Sequence, residues 1–249
     1  MSIFSADLHN HTVLSPCGDI EMTPDYIIRT ALKNGYDIIG ITDHNSTLQG
    51  REIMKIAGDS NLYILCGAEI TTKEEVHCLA FVDGEDKLNK LQNYLNEHLP
   101  KILNNPDIFG YQLVVDKNEN VLYEEENLLI SAINQSIEQV EKFIHSLDGI
   151  FIPAHIDKSK NSIISQLGFI PTNLKCDAFE FSKNCDINAF VEANKYLLKL
   201  NSNFIRSSDA HYTDDFATTL TYFNMEYCSF SEIKMALNGE NGRFVKIIK

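Results

Sequence analysis

The six cysteines, at 17, 66, 78, 176, 185 and 228, contain no CxxC pair and no regular spacing. That argues against a disulfide framework, and because several lie in apolar strand-like runs they are expected to be reduced, buried thiols. Positive charge is also scarce. Lys and Arg number 21 against 35 Asp and Glu, a formal net charge of −14. Such a balance repels a phosphate backbone, so long nucleic acid is not an expected partner, although a local cationic pocket could still hold a small phosphorylated ligand. No stretch approaches the roughly 18 apolar residues of a membrane span. The opening "MSIFSADLHNH" reads straight into a strand, with no charged-then-apolar leader. A cytoplasmic protein without membrane contact is therefore expected. Internal repeats and low-complexity tracts are absent as well.

What is present is a rhythm. Apolar residues make up 44% of the 249, enough to fill a core. The runs "IFSADLH" (3–9) and "DIIGITDH" (37–44) read as strands. Between them Thr23 can cap a helix that begins with Pro24 and ends at Asn34-Gly35. "REIMKIAG" continues as a helix, followed by strands "LYILCGAEI" (62–70) and "VHCLAFV" (76–82). Later come "GIFIPAH" (149–155), "CDAFEFS" (176–182), a helix over 187–200, "NFIRSSDAH" (203–211), "LTYFNME" (220–226), a helix over 231–239 and "RFVKIIK" (243–249). Strand–helix alternation of this kind predicts an α/β protein with parallel strands and outer helices, and about seven such strands predict a closed barrel. Segment 83–148 breaks the pattern. Leu88, Leu91, Leu95 and Leu99 mark an amphipathic helix, a strand pair surrounds a polar turn, and Ser136 with Gln139 forms a capping box. We read it as a mostly helical subdomain inserted into a barrel formed by 1–82 and 149–249.

Histidine is scarce too, at eight residues, and six of them fall at strand ends. Side chains at i and i+2 of a strand point the same way, so His9 and His11 in "DLHNH" can offer two imidazoles to one ion. His44 closes "GITDH" and Glu69 closes an apolar run. His77 opens one, His155 closes another, and Asp209 and His211 end "SSDAH". Each alone is most simply a polar strand cap. Together, with Asp19, they form a set of nitrogen and oxygen donors without thiolates, which suits Zn, Mn or Fe. Nine donors are too many for one ion and suit two or three divalent cations sharing a carboxylate. The two remaining histidines, His98 and His145, fall on helical segments of the insertion and read as surface or packing residues.

In order, "DLHNHTVLSPCGD", "GITDHN", "GAEI", "VHCLAF", "PAHID" and "SSDAH" resemble the motifs of the PHP (polymerase and histidinol phosphatase) family, over nearly the whole chain. The resemblance implies a distorted (β/α)7 TIM-like barrel with a trinuclear site at the strands' C-terminal ends. By motif, His9, His11, Glu69 and Asp209 would hold one ion. Glu69 would bridge to a second, held also by His77 and His155. Asp19, His44 and His211 would hold the third, with Cys17 a neighbour rather than a ligand. The insertion resembles that of stand-alone phosphoesterase members.

The expected activity is hydrolysis of a phosphomonoester on a small metabolite or nucleotide, with a metal-bridging hydroxide attacking phosphorus. Lys158 and Lys183 follow strand ends and could pair with the phosphate. Arg206 is a weaker third candidate for the phosphate: it lies three residues before Asp209, so strict alternation aims it to the opposite face unless the strand bulges. No separate general acid is evident, and Asp43 is expected to orient ligands. Three alternatives stand beside this reading: an amidohydrolase acting on C–N bonds, a nuclease or proofreading module, and a metal-holding regulatory module without turnover.

Overall fold

The computed structural model describes residues 1–58, 60–200 and 202–247. The first two strand–helix units form as their local signals dictate. Strand β1 (Ser2–Asp7) leads to helix α1 (Pro24–Lys33), where the Thr23 side chain accepts the Tyr26 N–H and Ile27, Ile28 and Ala31 face inward. Strand β2 (Ile38–Ile41), helix α2 (Leu48–Ala57) and strand β3 (Tyr63–Thr71) follow, and β1, β2 and β3 pair in parallel.

The alternation then fails, and the sheet is mixed rather than uniformly parallel. Strand β4 (His77–Phe81) pairs antiparallel with β3, because the five residues between them are too few for a crossover. From β4 the chain runs through helix α3 (Glu85–His98), the single turn α4 (Pro106–Phe109) and the hairpin of β5 (Leu113–Val115) and β6 (Val121–Glu124). Helix α5 (Ile137–Ser146), opened by the Ser136–Gln139 capping box, then leads into β7 (Ile150–Pro153), antiparallel to β4. Leu88, Leu91 and Leu95 of α3 and Val140 and Ile144 of α5 share one core with Cys66, Ala68, Cys78 and Ala80 of β3 and β4. Segment 83–148 thus covers the sheet's outer face, and its apolar side chains are buried there at about 1.5–3 kcal/mol each.

Helix α6 (Ile163–Leu167), strand β8 (Ala178–Phe181), helix α7 (Ile187–Ala193) and strand β9 (Asn203–Arg206) come next. The helix expected over 187–200 is interrupted at Asn194 and finishes as a 3-10 turn, Lys195–Lys199. Strand β10 (Thr221–Met225), helix α8 (Phe230–Asn238) and β11 (Phe244–Ile247) complete the described chain; residues 248 and 249 of the last expected strand lie outside it.

The curled seven-stranded sheet has the order β11-β10-β1-β2-β3-β4-β7, and β8 and β9 form a separate parallel pair. That pair is bonded to β7 by Asp177 N–H to Phe151 O and Ile156 N–H to Glu180 O. Beyond β9, Ala210 bridges Asn10 beyond β1. Ala6, Leu8, Ile38, Leu65, Leu79, Ile152, Ala178 and Ile205 accordingly meet in one interior cluster, floored by Phe230, Ile233 and Leu237 at and within α8. Among the described residues no helix is long and apolar enough to cross a membrane.

Candidate metal centre

The candidate site sits on top of that interior cluster. β1 ends at Asp7, so His9 and His11 lie in the extended run just past the strand rather than within it. The run is held straight by Asn10, whose side-chain amide donates to Asp7 O and Gly40 O. His44 follows β2, His155 follows β7, and Asp209 and His211 follow β9; Glu69 lies inside β3, opposite His44 in a short parallel bridge. His77 opens its strand where the others close theirs because β4 runs antiparallel, which brings its start to the same end of the sheet.

Glu69 is the hub. Its carboxylate lies 2.8 Å from His77 Nδ1, 3.1 Å from His155 Nε2, 3.1 Å from His44 Nδ1, and 3.3 Å from both His9 Nε2 and His11 Nε2. The second carboxylate, Asp209, places Oδ1 at 3.3 Å from His9 Nε2 and 3.4 Å from His11 Nε2. Three groups bring their donor atoms within 4.8 Å of one another and could hold an ion: His11, His44 and His211; His9, His11 and Asp209; His44, Glu69 and His77. Glu69 pairs with His77 and His155, yet His44 Nδ1, His155 Nδ1 and Asp209 Oδ1 are buried without a hydrogen-bond partner, so the side chains satisfy one another only in part. Buried polar atoms rarely stay unpaired. A converging set of imidazole and carboxylate atoms with open valences fits divalent cations.

The protonation pattern divides the donors. Burial and the neighbouring His11 push His44 well below the usual imidazole range, and the same two causes take His211 down to about 4. Neutral imidazole is the form that ligates. At His9, burial works downward, but Glu180, Asp209 and Glu69 together raise it well above its ordinary value. Burial opposes ionisation of Glu69, yet His77 and His9 lead a ring of imidazoles that holds it well below the carboxylate range.

The remaining sequence candidates divide. The Asp43 carboxylate accepts from Thr12 N–H, Thr12 Oγ1 and Ser15 Oγ, and Ser15 Oγ lies 2.9 Å from His11 Nδ1; Asp43 therefore steadies His11 through Ser15. The Lys158 ammonium pairs with Asp209 at the mouth of a cleft of about 220 Å3 over the cluster. Asp19 is not drawn in: its Oδ1 accepts the Glu21 N–H, and only its backbone touches the site, donating to His211 O. Cys17 is exposed and belongs to none of the three groups. Lys183 and Arg206 line a different cleft, with the Arg206 guanidinium turned to Cys185 O, as strand alternation requires. All six cysteines are free.

Three contributors escaped the sequence reading. Glu180, buried within β8, accepts from His9 Nδ1 at 2.9 Å and from the His155 N–H at 3.0 Å. Its signal was available, since a lone carboxylate in "AFEF" is the pattern that singled out Glu69. Asp7 is fully buried, accepts from Ser208 N–H, and is pushed up to about 7 by that burial. Lys160 lines the cleft beside Lys158. His145, read as a surface or packing residue, is gripped between Glu141 Oε1 at 2.6 Å and Asp177 Oδ2 at 3.1 Å.

A curled α/β sheet whose strand ends gather six imidazoles and two carboxylates around shared points presents groups of donors that could each hold a metal ion. Residues 7–167 match the PHP domain, and the chain belongs to the PHP domain family. Over 104 residues it is 33% identical to an uncharacterized protein of Methanocaldococcus jannaschii, MJ1587, a match covering 39% of this chain and 53% of that protein. The chain thus spans about half the length of that curated relative. The fold is similar to a lesion-specific endonuclease, PfuEndoQ of Pyrococcus furiosus (TM-score 0.73, 18% identity), over 98% of this chain and 58% of that one. It is also similar to a Bifidobacterium adolescentis structure provisionally named a metal-dependent phosphoesterase (TM-score 0.53, 19% identity), over 83% of this chain and 87% of that one. At these identities the structural likeness concerns the fold.

Proposed function

We propose that the protein is a metal-dependent hydrolase that removes the phosphate from a small phosphorylated metabolite or nucleotide. The observation that carries this reading is the cleft itself: a volume of about 220 Å3, walled by His44, His77, His155 and His211, with Lys158 and Lys160 at its edge. Lys160, and Lys158 in its pair with Asp209, put positive charge beside it, which suits an anionic substrate in a chain of net charge −14.

Under this reading the architecture is a distorted (β/α)7 barrel, closed by β8 and β9, with 83–148 inserted between barrel strands. His9, His11, Glu69 and Asp209 would hold one cation, and Glu69, His77 and His155 a second. His44 and His211 would hold a third, with His11 in reach where Asp19 was expected. Bound Zn, Mn or Fe would supply Lewis acidity and acidify water near neutral pH. The chain's own part is to bind and orient. Lys158 and Lys160 take phosphoryl oxygens, Glu180 fixes the His9 ring, and Asp43 fixes His11 through Ser15.

The test is release of inorganic phosphate by manganese- or zinc-loaded protein from a panel of phosphomonoesters, beside short oligonucleotides and amide substrates. Phosphate release that disappears in a folded His155→Ala variant supports the reading. Oligonucleotides cleaved faster than mononucleotides, or amides opened with no phosphate released, would replace it with the nuclease or amidohydrolase alternative.

A further inference from the structure

The hairpin of β5 and β6 ends in an unfinished sheet. In an antiparallel pair, residues whose peptide groups face the partner strand alternate with residues whose groups face away. Glu125 N–H donates to Gln112 O at 2.9 Å, so Glu125 faces β5, as does Tyr123 opposite Val114. The next residue faces the other way: Glu126 O accepts Asn104 N–H at 2.7 Å, and Leu128 N–H donates to Ile102 O at 2.7 Å. Residues 102–104 are thus a short third strand, with Leu103 opposite Asn127. It stops at Asn105, which caps α4, and Pro106 turns the chain away. By alternation, the peptide N–H and C=O of Glu124 point to that same edge, and no strand of the described chain continues there to meet them.

The open edge is anchored and apolar. Gln49 clamps the hairpin, accepting Val115 N–H at 2.7 Å and donating to Val115 O at 3.1 Å, and the Thr23 hydroxyl donates to Glu119 at 3.0 Å. Yet Ile102, Leu103, Ile108, Val121, Leu122 and Tyr123 are each at least 47% exposed, all within one stretch of the insertion. Edge strands are usually blunted by Lys or Pro or covered, whereas β6 carries neither residue and all four of its positions are exposed. A groove of about 490 Å3 occupies the gap, lined by Leu103, Asn104, Pro106 and the run Glu124, Glu125, Glu126. No cation of the described chain answers that run. Arg51 and Lys55, on the wall of the groove beside Leu122 and Tyr123, are paired with Glu85 and Glu52.

We propose that this edge docks another protein by strand addition. An extended segment that alternates apolar residues with Lys or Arg continues the ladder beyond Asn104 and pairs with the Glu124 backbone. Its basic side chains meet Glu124 and Glu126, and its apolar ones cover the exposed side chains beside them. Main-chain bonds supply affinity in such docking, and side chains and charge supply selectivity. Charge decides against a second copy of this chain, which would bring the same three glutamates and a further net charge of −14 to the contact. The site does not depend on the hydrolase reading, because its groove shares no lining residue with the cleft over the metal centre.

The experiment uses the full chain. A display library of short random peptides is selected on the wild type and, in parallel, on a variant carrying both Glu124→Lys and Glu126→Lys. A peptide enriched on the wild type is then synthesised, its affinity is measured by fluorescence anisotropy, and hydrogen exchange reads the Glu124 amide. The expected result is enrichment of sequences that alternate apolar residues with Lys or Arg. Binding should saturate, be at least tenfold weaker in the double variant, and slow exchange at Glu124. The proposal is overturned if no peptide is enriched on the wild type over the variant, if the enriched peptides lack basic residues, or if the Glu124 amide exchanges at an unchanged rate with peptide bound. A dimer in sedimentation that Leu122→Lys dissociates would assign the edge to a second copy and overturn it as well. Should the double variant unfold, selection on the wild type alone and N-methylation of alternate residues of the enriched peptide decide. Loss of binding in one methylation register supports strand addition, and unchanged affinity in both registers overturns it.

Discussion

The Glu180 carboxylate touches His9 Nδ1 at 2.9 Å through the same oxygen that accepts the His155 backbone N–H at 3.0 Å. One buried side chain on β8 thereby fixes the ring of a residue past β1 and the backbone of a residue past β7. With Nδ1 occupied, the Nε2 of His9 is left to face Glu69 and Asp209. Partners of this kind typically contribute 10- to 100-fold to metal affinity. Glu180→Ala should therefore weaken binding of the tightest cation by about that factor in a chelator competition. Glu180→Gln keeps an acceptor for both contacts and should lose less. Equal affinity in wild type and Glu180→Ala would show that His9 orients itself.

Glu69 stands among five imidazoles, and no other acid in the described chain does so. Removing one partner from a buried charged cluster costs about 3–5 kcal/mol. Glu69→Ala should lower the unfolding free energy of metal-free protein by that order in urea. Glu69→Gln preserves the volume without the charge and should bind at least one cation fewer per chain by elemental analysis. Unchanged stoichiometry in that variant would remove the bridging role from Glu69.

How much of this was legible in the sequence follows from what periodicity encodes. Alternation and strand ends placed His9, His11, His44, Glu69, His155, Asp209 and His211, because a polar residue closing an apolar run has few places to go. The mixed sheet was implicit in the five residues between β3 and β4, too short to cross over, yet the strand–helix rhythm around them suggested parallel strands throughout. Side-chain direction off the strands was not encoded. Asp19 turned to close a local turn with Glu21, and Lys183 entered another cleft although it too follows a strand, whereas the aim of Arg206 away from the site is the one that alternation along its strand indicates. Glu180 was within reach of the rule applied to Glu69, but that rule needs a partner, and the partner lies 171 residues away.

His145, paired with Glu141 one turn earlier on α5, joins that helix to the start of the β8 region through Asp177. The hydrogen bond that His145 donates to Asp177 leads the causes that raise His145 above its ordinary value of 6.5, and Asp177 is in turn held below 3.8 against the effect of its own burial. The signs follow by linkage. The His145 contribution is complete below 6.5 and is lost as pH rises through the folded value above it. The Asp177 contribution is complete above 3.8 and is lost as pH falls through the folded value below it. His145→Gln should cost about 1–2 kcal/mol near pH 6, by analogy with other charged hydrogen bonds, and less near pH 9. Denaturant midpoints measured across that range would give parallel wild-type and variant curves if the grip on His145 carried no stability.

Gly40 illustrates how packing below the metal centre reaches the ligands above it. A Cβ built on Gly40 in β2 collides with the Leu8 carbonyl oxygen and stands 2.7 Å from Leu8 Cα, contacts that backbone cannot yield without moving β1. Leu8 immediately precedes His9, and Gly40 O accepts from the Asn10 amide, so any shift displaces the His9–His11 run relative to His44. Overpacking of this kind costs about 1–3 kcal/mol where the structure can adjust, and more where it cannot. Gly40→Ala should lose at least that much stability in urea. It should also lose cation affinity out of proportion to the fraction unfolded, because the two halves of the donor set ride on the two strands forced apart. A variant that is destabilised but binds cations normally once folded would mean that the run past β1 is positioned by Asp209 and Ala210 rather than by its neighbour β2.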